Sequence, residues 1–130
     1  MAPVFTEGKH AGEGIMSEAP GVGALSREVI TIASGAGVIA PMTVLGKITA
    51  TGKYIPSPAS EVVGSEGAET ADAVNIYGVD ATSADVEVTA IVRNAVLNGH
   101  ELTYDASRNL AGEQLAARVD LAAKDVIVRL

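Results

Sequence analysis

Two histidines, His10 and His100, are all the chain has of the side chain that most often moves protons near neutral pH. A Ser-His-Asp arrangement could draw only on His100, because His10 belongs to an irregular N-terminal stretch. His100 directly follows Asn98-Gly99, a turn dipeptide that leaves an imidazole in solvent. With no cysteine there is no thiolate metal site, thiol nucleophile or disulfide framework, and two histidines make no metal cluster within one chain. A nucleophile elbow needs G-x-S-x-G, and Val63-Gly64-Ser65-Glu66-Gly67 misses it at the first residue. Gly35-Ala36-Gly37-Val38-Ile39-Ala40 matches a dinucleotide-binding turn in letters. That turn works by aiming a helix N-terminus at pyrophosphate, whereas Pro41 and a β-branched run follow here, so the glycines read as a β-turn. Gly46-Lys47 and Gly52-Lys53 lack the upstream glycine and the Ser/Thr of a phosphate loop. Carboxylates are plentiful, but nothing in the pattern fixes a separation between two of them or removes them from water. The residues therefore describe a protein that is not an enzyme, with no cofactor, no metal and no small-molecule substrate.

Composition narrows the class. The 130 residues make one domain, able to bury roughly two thirds of the unfolded chain's surface. Hydrophobic residues make up 48% but aromatics only 3%, so the core must be built from Val, Ile, Leu and Ala. A mean hydropathy of +0.29 is high for a chain of net charge -7 and suggests that an oligomer interface hides part of the apolar surface. No lysine or arginine occurs between Lys53 and Arg93, while Glu61, Glu66, Glu69, Asp72, Asp80, Asp85 and Glu87 all lie there. That segment carries the whole imbalance and reads as a solvated loop face. The nine basic residues are scattered without forming a stripe, which argues against nucleic acid as a partner. The N-terminus lacks the basic start and apolar run of a signal peptide, so a cytoplasmic product is expected. Val29 to Gly46 is free of charge, yet Gly35, Gly37 and Pro41 interrupt it, and buried strands joined by a turn are expected there rather than a membrane span.

The most ordered pattern is Pro41 to Pro56, P-M-T-V-L-G-K-I-T-A-T-G-K-Y-I-P, two apolar runs around a Thr-Gly-Lys turn in which Gly52 supplies positive φ. A β-hairpin spanning Met42 to Ile55 is expected. Before it, V-I-T-I-A after Glu28 reads as a strand ending in a Ser-Gly-Ala-Gly turn. After it, the Pro, Ser and Gly residues of 56–71 read as a loop. V-N-I-Y-G-V-D follows, then Asp85 to Arg93, where Val86, Val88, Ala90 and Val92 share one face and Glu87, Thr89 and Arg93 the other. Ile91 breaks the polar face, which suggests a second contact surface such as a subunit interface. Asn98-Gly99 predicts a type I′ turn, with His100 to Tyr104 returning as a strand. Beyond Asp105, Leu115, Val119 and Ala122 recur at helical spacing, widened by Leu110 and Leu121, and predict one helix of about three turns packed by that stripe. V-I-V-R-L closes the chain as a strand. The fold class is α+β, mostly antiparallel β with one short C-terminal helix. Residues 28–130 form the compact β-rich domain. Residues 1–27, with Gly8, Gly12, Gly14, Gly21 and Gly23 among irregular apolar residues, read as an extended arm that becomes ordered only on a partner.

Several stretches together resemble the head decoration proteins of tailed phages, the family typified by the lambda capsid-stabilising protein D. They are T-E-G-K-H-A-G-E from Thr6, S-R-E-V-I-T-I-A-S-G from Ser26, T-V-L-G-K-I-T-A-T-G-K-Y from Thr43, Y-G-V-D-A-T from Tyr77, A-I-V-R-N-A from Ala90 and N-G-H-E-L-T-Y from Asn98. Gly14 departs from the resemblance, standing where a larger apolar residue is expected. The resemblance implies a homotrimer on the outer surface of the expanded virion head, at three-fold positions, bridging the major capsid (coat) protein against the pressure of packaged DNA. It implies no nucleic acid, membrane or small-molecule partner, and synthesis in the bacterial host cytoplasm. The arm would bind the coat, with Val4, Phe5, Thr6, Ile15 and Met16 as its contact residues. The alternative is a trimeric β module of a phage tail or baseplate, which would not need an ordering arm.

Overall fold

The computed structural model describes residues 7–19 and 25–130. The strand expected from V-I-T-I-A is β2 (Arg27–Ile32), and it is preceded by β1 (Ile15–Glu18), in a stretch where the sequence shows no regular element. After the glycine turn comes β3 (Gly37–Ile39). The hairpin is β4 (Val44–Lys47) and β5 (Tyr54–Pro56), antiparallel, with Leu45 opposite Pro56, Lys47 opposite Tyr54 and Gly52 at φ +75° in its loop. Beyond the turn-rich loop lie β6 (Ala71–Asn75), β7 (Val79–Ala81), β8 (Val86–Ile91) and β9 (Ala95–Asn98). A 3-10 turn at Gly99–Glu101 leads on to α1 (Ala111–Ala122) and β10 (Val126–Arg129). This is the expected α+β fold with mostly antiparallel pairing.

Strands β2, β5, β4, β6 and β8 close into a small barrel in that order. A second sheet has the order β1-β9-β10, and β3 pairs with β7 as a ribbon. In the second sheet β9 and β10 run parallel. Parallel neighbours cannot be joined by a hairpin, and the 3-10 turn and α1 supply the crossover.

Side chains alternate across a strand, and β4, β6 and the C-terminal end of β8 bury residues on both faces. Leu45, Ala73, Val88 and Ala90 point into the barrel with Ile30, Ile32 and Val92. Val44, Val74 and Ile91 point the other way, into a second core shared with Leu97, Leu121 and Val126. Ile91 is 0% exposed there, so the residue that suggested a subunit contact is a core residue of its own chain. Only the end of β8 lies between the two cores, with Glu87 exposed near its start, and the one isoleucine among Glu87, Thr89 and Arg93 marks where the second core begins.

The turn at Asn98-Gly99 also differs from expectation. Asn98 is extended (φ -81°, ψ 113°) and its side-chain oxygen accepts from the His100 amide, capping the 3-10 turn. A returning strand would have no place to pair, because β9 already has β1 on one side and β10 on the other. Thr103 instead bridges to Thr43, with Val44 N donating to the Thr103 carbonyl at 2.9 Å. The helix has the expected length, but of the expected apolar stripe only Leu121 turns inward. Ala117 and Leu121 are buried, while Leu115 and Val119 face solvent. The small Ala117 lets α1 lie close to β6, where Asp120 accepts from the Ala71 amide at 3.2 Å.

The loop between β5 and β6 is built into the body rather than draped over it. Gly46 makes room for it, since a Cβ on Gly46 would overlap the Ala68 backbone carbonyl. Arg108, 3% exposed, holds both ends. Its Nε donates to the Ser57 carbonyl (2.9 Å), its Nη2 to the Ser57 hydroxyl (3.0 Å) and the Glu69 carbonyl (2.7 Å), and its Nη1 to the Glu113 carbonyl (2.7 Å). Nothing in the sequence around Arg108 signals this role, because its partners are backbone and hydroxyl oxygens distant in the chain.

Candidate functional site

The N-terminal segment is the stretch that the sequence singles out for binding. Of its five candidate contact residues, Val4, Phe5 and Thr6 lie outside the described residues, and Ile15 and Met16 begin β1. Ile15 pairs with Leu97 and packs, half-buried, against the second core. Met16 faces the other way and is exposed. A bulge between Ile15 and Ser17 shifts the register, so the strand alternates too irregularly to be legible in the sequence.

Each contact of this segment has a physical cause. Lys9 reaches across the body, its Nζ donating to the Glu101 carbonyl at 2.6 Å and the Thr103 hydroxyl at 2.8 Å. Glu101 closes the 3-10 turn and Thr103 lies just beyond it, so the segment and that turn stabilise one another. The Gly12 amide donates to the Ile76 carbonyl (3.3 Å), and the Asn98 amide to the Gly14 carbonyl (2.7 Å). At Gly14 the backbone lies so close to the body that a Cβ would sit 2.7 Å from Met42 Cε and 2.9 Å from Glu101 Cβ. That close approach explains a glycine where a larger apolar residue was expected.

At the far end, Arg27 forks onto Glu18, Nε to Oε1 at 2.7 Å and Nη2 to Oε2 at 2.8 Å, joining the start of β2 to the end of β1. The guanidinium hydrogen bonds hold the Glu18 carboxyl below the usual glutamate range, against the opposing effect of partial burial. Beside this pair, the buried Ser26 hydroxyl accepts from the Ala19 amide and donates to the Asn94 carbonyl. Residues 7–19 thus lie along the chain's own body, with β1 as the edge of its sheet.

The other sequence candidates are apart from one another. His10 is exposed between Glu13 (3.4 Å) and Glu7 (3.8 Å). His100 is exposed at the 3-10 turn, in a different part of the fold from Ser65. The acidic segment is dispersed. Asp85 pairs with Lys53 (2.7 Å) and Asp72 with Lys124 (3.4 Å), while Glu66 and Glu69 fold back onto the amides of Gly64 and Gly67. Lys53 and the Ser34 amide hold Asp85 below the usual carboxylate range. Among the described residues no group of His, Cys, Asp and Glu is placed to hold a metal ion, and no helix is long and apolar enough to cross a membrane.

The family profile described as bacteriophage lambda head decoration protein D matches residues 4–126, and the chain belongs to that family. No curated protein matches it. Membership makes it a structural component of a phage head that decorates the capsid.

Proposed function

We propose that the chain binds as a homotrimer to the outer surface of the expanded phage head, at its three-fold positions, and reinforces the shell against packaged DNA. The observation that carries this reading is the extent of the family match, which begins at residue 4 and so includes the leader as well as the barrel. Val4, Phe5, Thr6 and Met16 meet the coat protein. Ile15 anchors the leader's base on the second core and reaches the coat only if β1 lifts away. Among the described residues β1 is an outer strand of its sheet, and its free side is where strand addition would take place. Three leaders on one trimer act at high effective concentration once the first has bound, so weak single contacts sum to tight attachment. Scattered basic residues and a net charge of -7 disfavour contact with the DNA itself.

Co-sedimentation with purified expanded heads tests this. The full chain is expected to pellet stoichiometrically with the heads, and a variant lacking residues 2–6 to remain in the supernatant with an unchanged circular dichroism spectrum. A truncated protein that decorates heads at normal affinity would overturn the leader's role. A full chain that ignores expanded heads would overturn the decoration reading.

A further inference from the structure

We propose that neighbouring copies join head to tail, the Val62-Val63 tip of the loop between β5 and β6 seating in the apolar groove between α1 and β10 of the next copy. This rests on the trimer reading above and names the two faces that would meet. The groove, of about 330 Å³, is lined by Leu115, Arg118, Val119, Ile127, Val128 and Leu130. It exists because α1 turns Ala117 and Leu121 inward and leaves the Leu115–Val119 stripe outside, Val119 being 61% exposed. An apolar helix stripe and an apolar strand edge meeting in solvent are unusual unless something covers them.

The tip has the complementary form. Val63 is 94% exposed, yet its turn is rigidly made. The Ser65 amide donates to the Val62 carbonyl (2.9 Å), the Gly64 amide to the Glu66 carboxylate (3.1 Å) and the Ala68 amide to the Ser65 carbonyl (3.2 Å). Arg108 clamps the loop's base through Ser57 and Glu69. A tip already held in one conformation loses little entropy on docking.

Charge selects the second copy as occupant and sets the arrangement. Glu61 and Glu66 flank the tip, in the segment without a single cation, while Arg118 lines the groove. Arg118 is in no ion pair among the described residues. Tip against tip would set glutamates against glutamates, and groove against groove would set Arg118 against its own copy. Only tip against groove brings opposite charges together around an apolar centre. Such a contact is heterologous rather than two-fold, and under the trimer reading its rotation closes into a ring of three.

The chain has no cysteine, which makes a thiol test clean. Val63→Cys and Val119→Cys, both at exposed positions, are combined in one chain, bound to expanded heads and treated with a short thiol-to-thiol cross-linker. Covalent dimers and trimers are expected from the double variant and monomers from each single variant. The pairing is overturned if the double variant decorates heads as trimers by amine cross-linking yet yields no thiol-linked species, or if a single variant links to itself. As a second arm, Glu61→Arg and Arg118→Glu should each weaken trimer cross-linking and together restore it. Arg118 also donates to the Tyr104 hydroxyl, a contact that the double reversal leaves broken, so restoration reports the intermolecular pair alone. Absence of restoration counts against the pairing. Wild-type protein that is monomeric on heads by amine cross-linking would instead remove the trimer reading.

Discussion

Arg108 and Ser57 stand 51 positions apart and are joined twice, the guanidinium donating to both the carbonyl and the hydroxyl of the serine inside the protein. The same side chain reaches Glu69 and Glu113, so one buried cation ties the loop after β5 to the start of α1. Neutral oxygens satisfy it, and removing it would leave several buried acceptors unpaired. Arg108→Met is expected to cost about 3 kcal/mol or more, read as a shift in the urea midpoint. Arg108→Lys should recover little, because an ammonium cannot reproduce the planar fork. A lysine variant as stable as the parent would show that charge rather than fork geometry matters.

The Glu18–Arg27 fork predicts how the leader responds to acid. Because the folded carboxyl is held below its ordinary value of 4.5, its contribution is fully present above that value and is lost as pH falls through the folded one. The pair is partly exposed, so its contribution to stability is at most about 1 kcal/mol. The expected outcome is a loss of amide protection at Ala19, corrected for intrinsic exchange, on acidification below the glutamate range. Glu18→Gln should show the same low protection at neutral pH and no further change with acid. Identical acid profiles for the two proteins would mean that another group controls this junction.

What the sequence makes legible is local. The hairpin around Gly52, the half-buried pattern of β8 and the length of α1 all follow from spacing and turn chemistry within a few residues. Misreadings arise where a distant neighbour decides. Ile91 looks like an exposed blemish until the second core lies on its other side, and the inward face of α1 is set by how closely Ala117 approaches β6. Asn98-Gly99 carries the strongest hairpin signal in its region, but its strand is saturated by β1 and β10, which come from opposite ends of the chain. In the candidate site, the leader's apolar residues are visible by type. Their docking through Lys9, Gly14 and Glu18 is not, since each of these acts on a backbone or side chain that only the fold brings near.

Gly14 sets how closely the leader lies on the body. Gly14→Val would drive a side chain into Met42, itself fully buried and held at φ +63°, and into Glu101. Overpacking of this kind costs about 1–3 kcal/mol, and here the cheapest relief is for residues 7–19 to lift off. Amide exchange should therefore rise in residues 7–19 and at the Asn98 amide, while the barrel strands β2, β4 and β8 keep their protection. Uniform loss of protection would indicate instead that the leader is an integral part of the folding unit.

Ile91 separates core from interface quantitatively. It is 0% exposed and packs with Val74, Leu97 and Leu121, so Ile91→Ala should destabilise by about 2–5 kcal/mol through lost burial and a residual cavity. Because the loss lies within one chain, the shift in melting temperature should be the same across a wide range of protein concentration. A residue whose burial came from a neighbouring copy would behave differently, since mass action links subunit contacts to concentration. Val119→Ala, on the exposed face of α1, should change monomer stability by no more than about 0.5 kcal/mol. If the two substitutions exchanged these behaviours, Ile91 showing the concentration dependence and Val119 the large intrinsic loss, the assignment of inward and outward faces in this half of the molecule would be reversed.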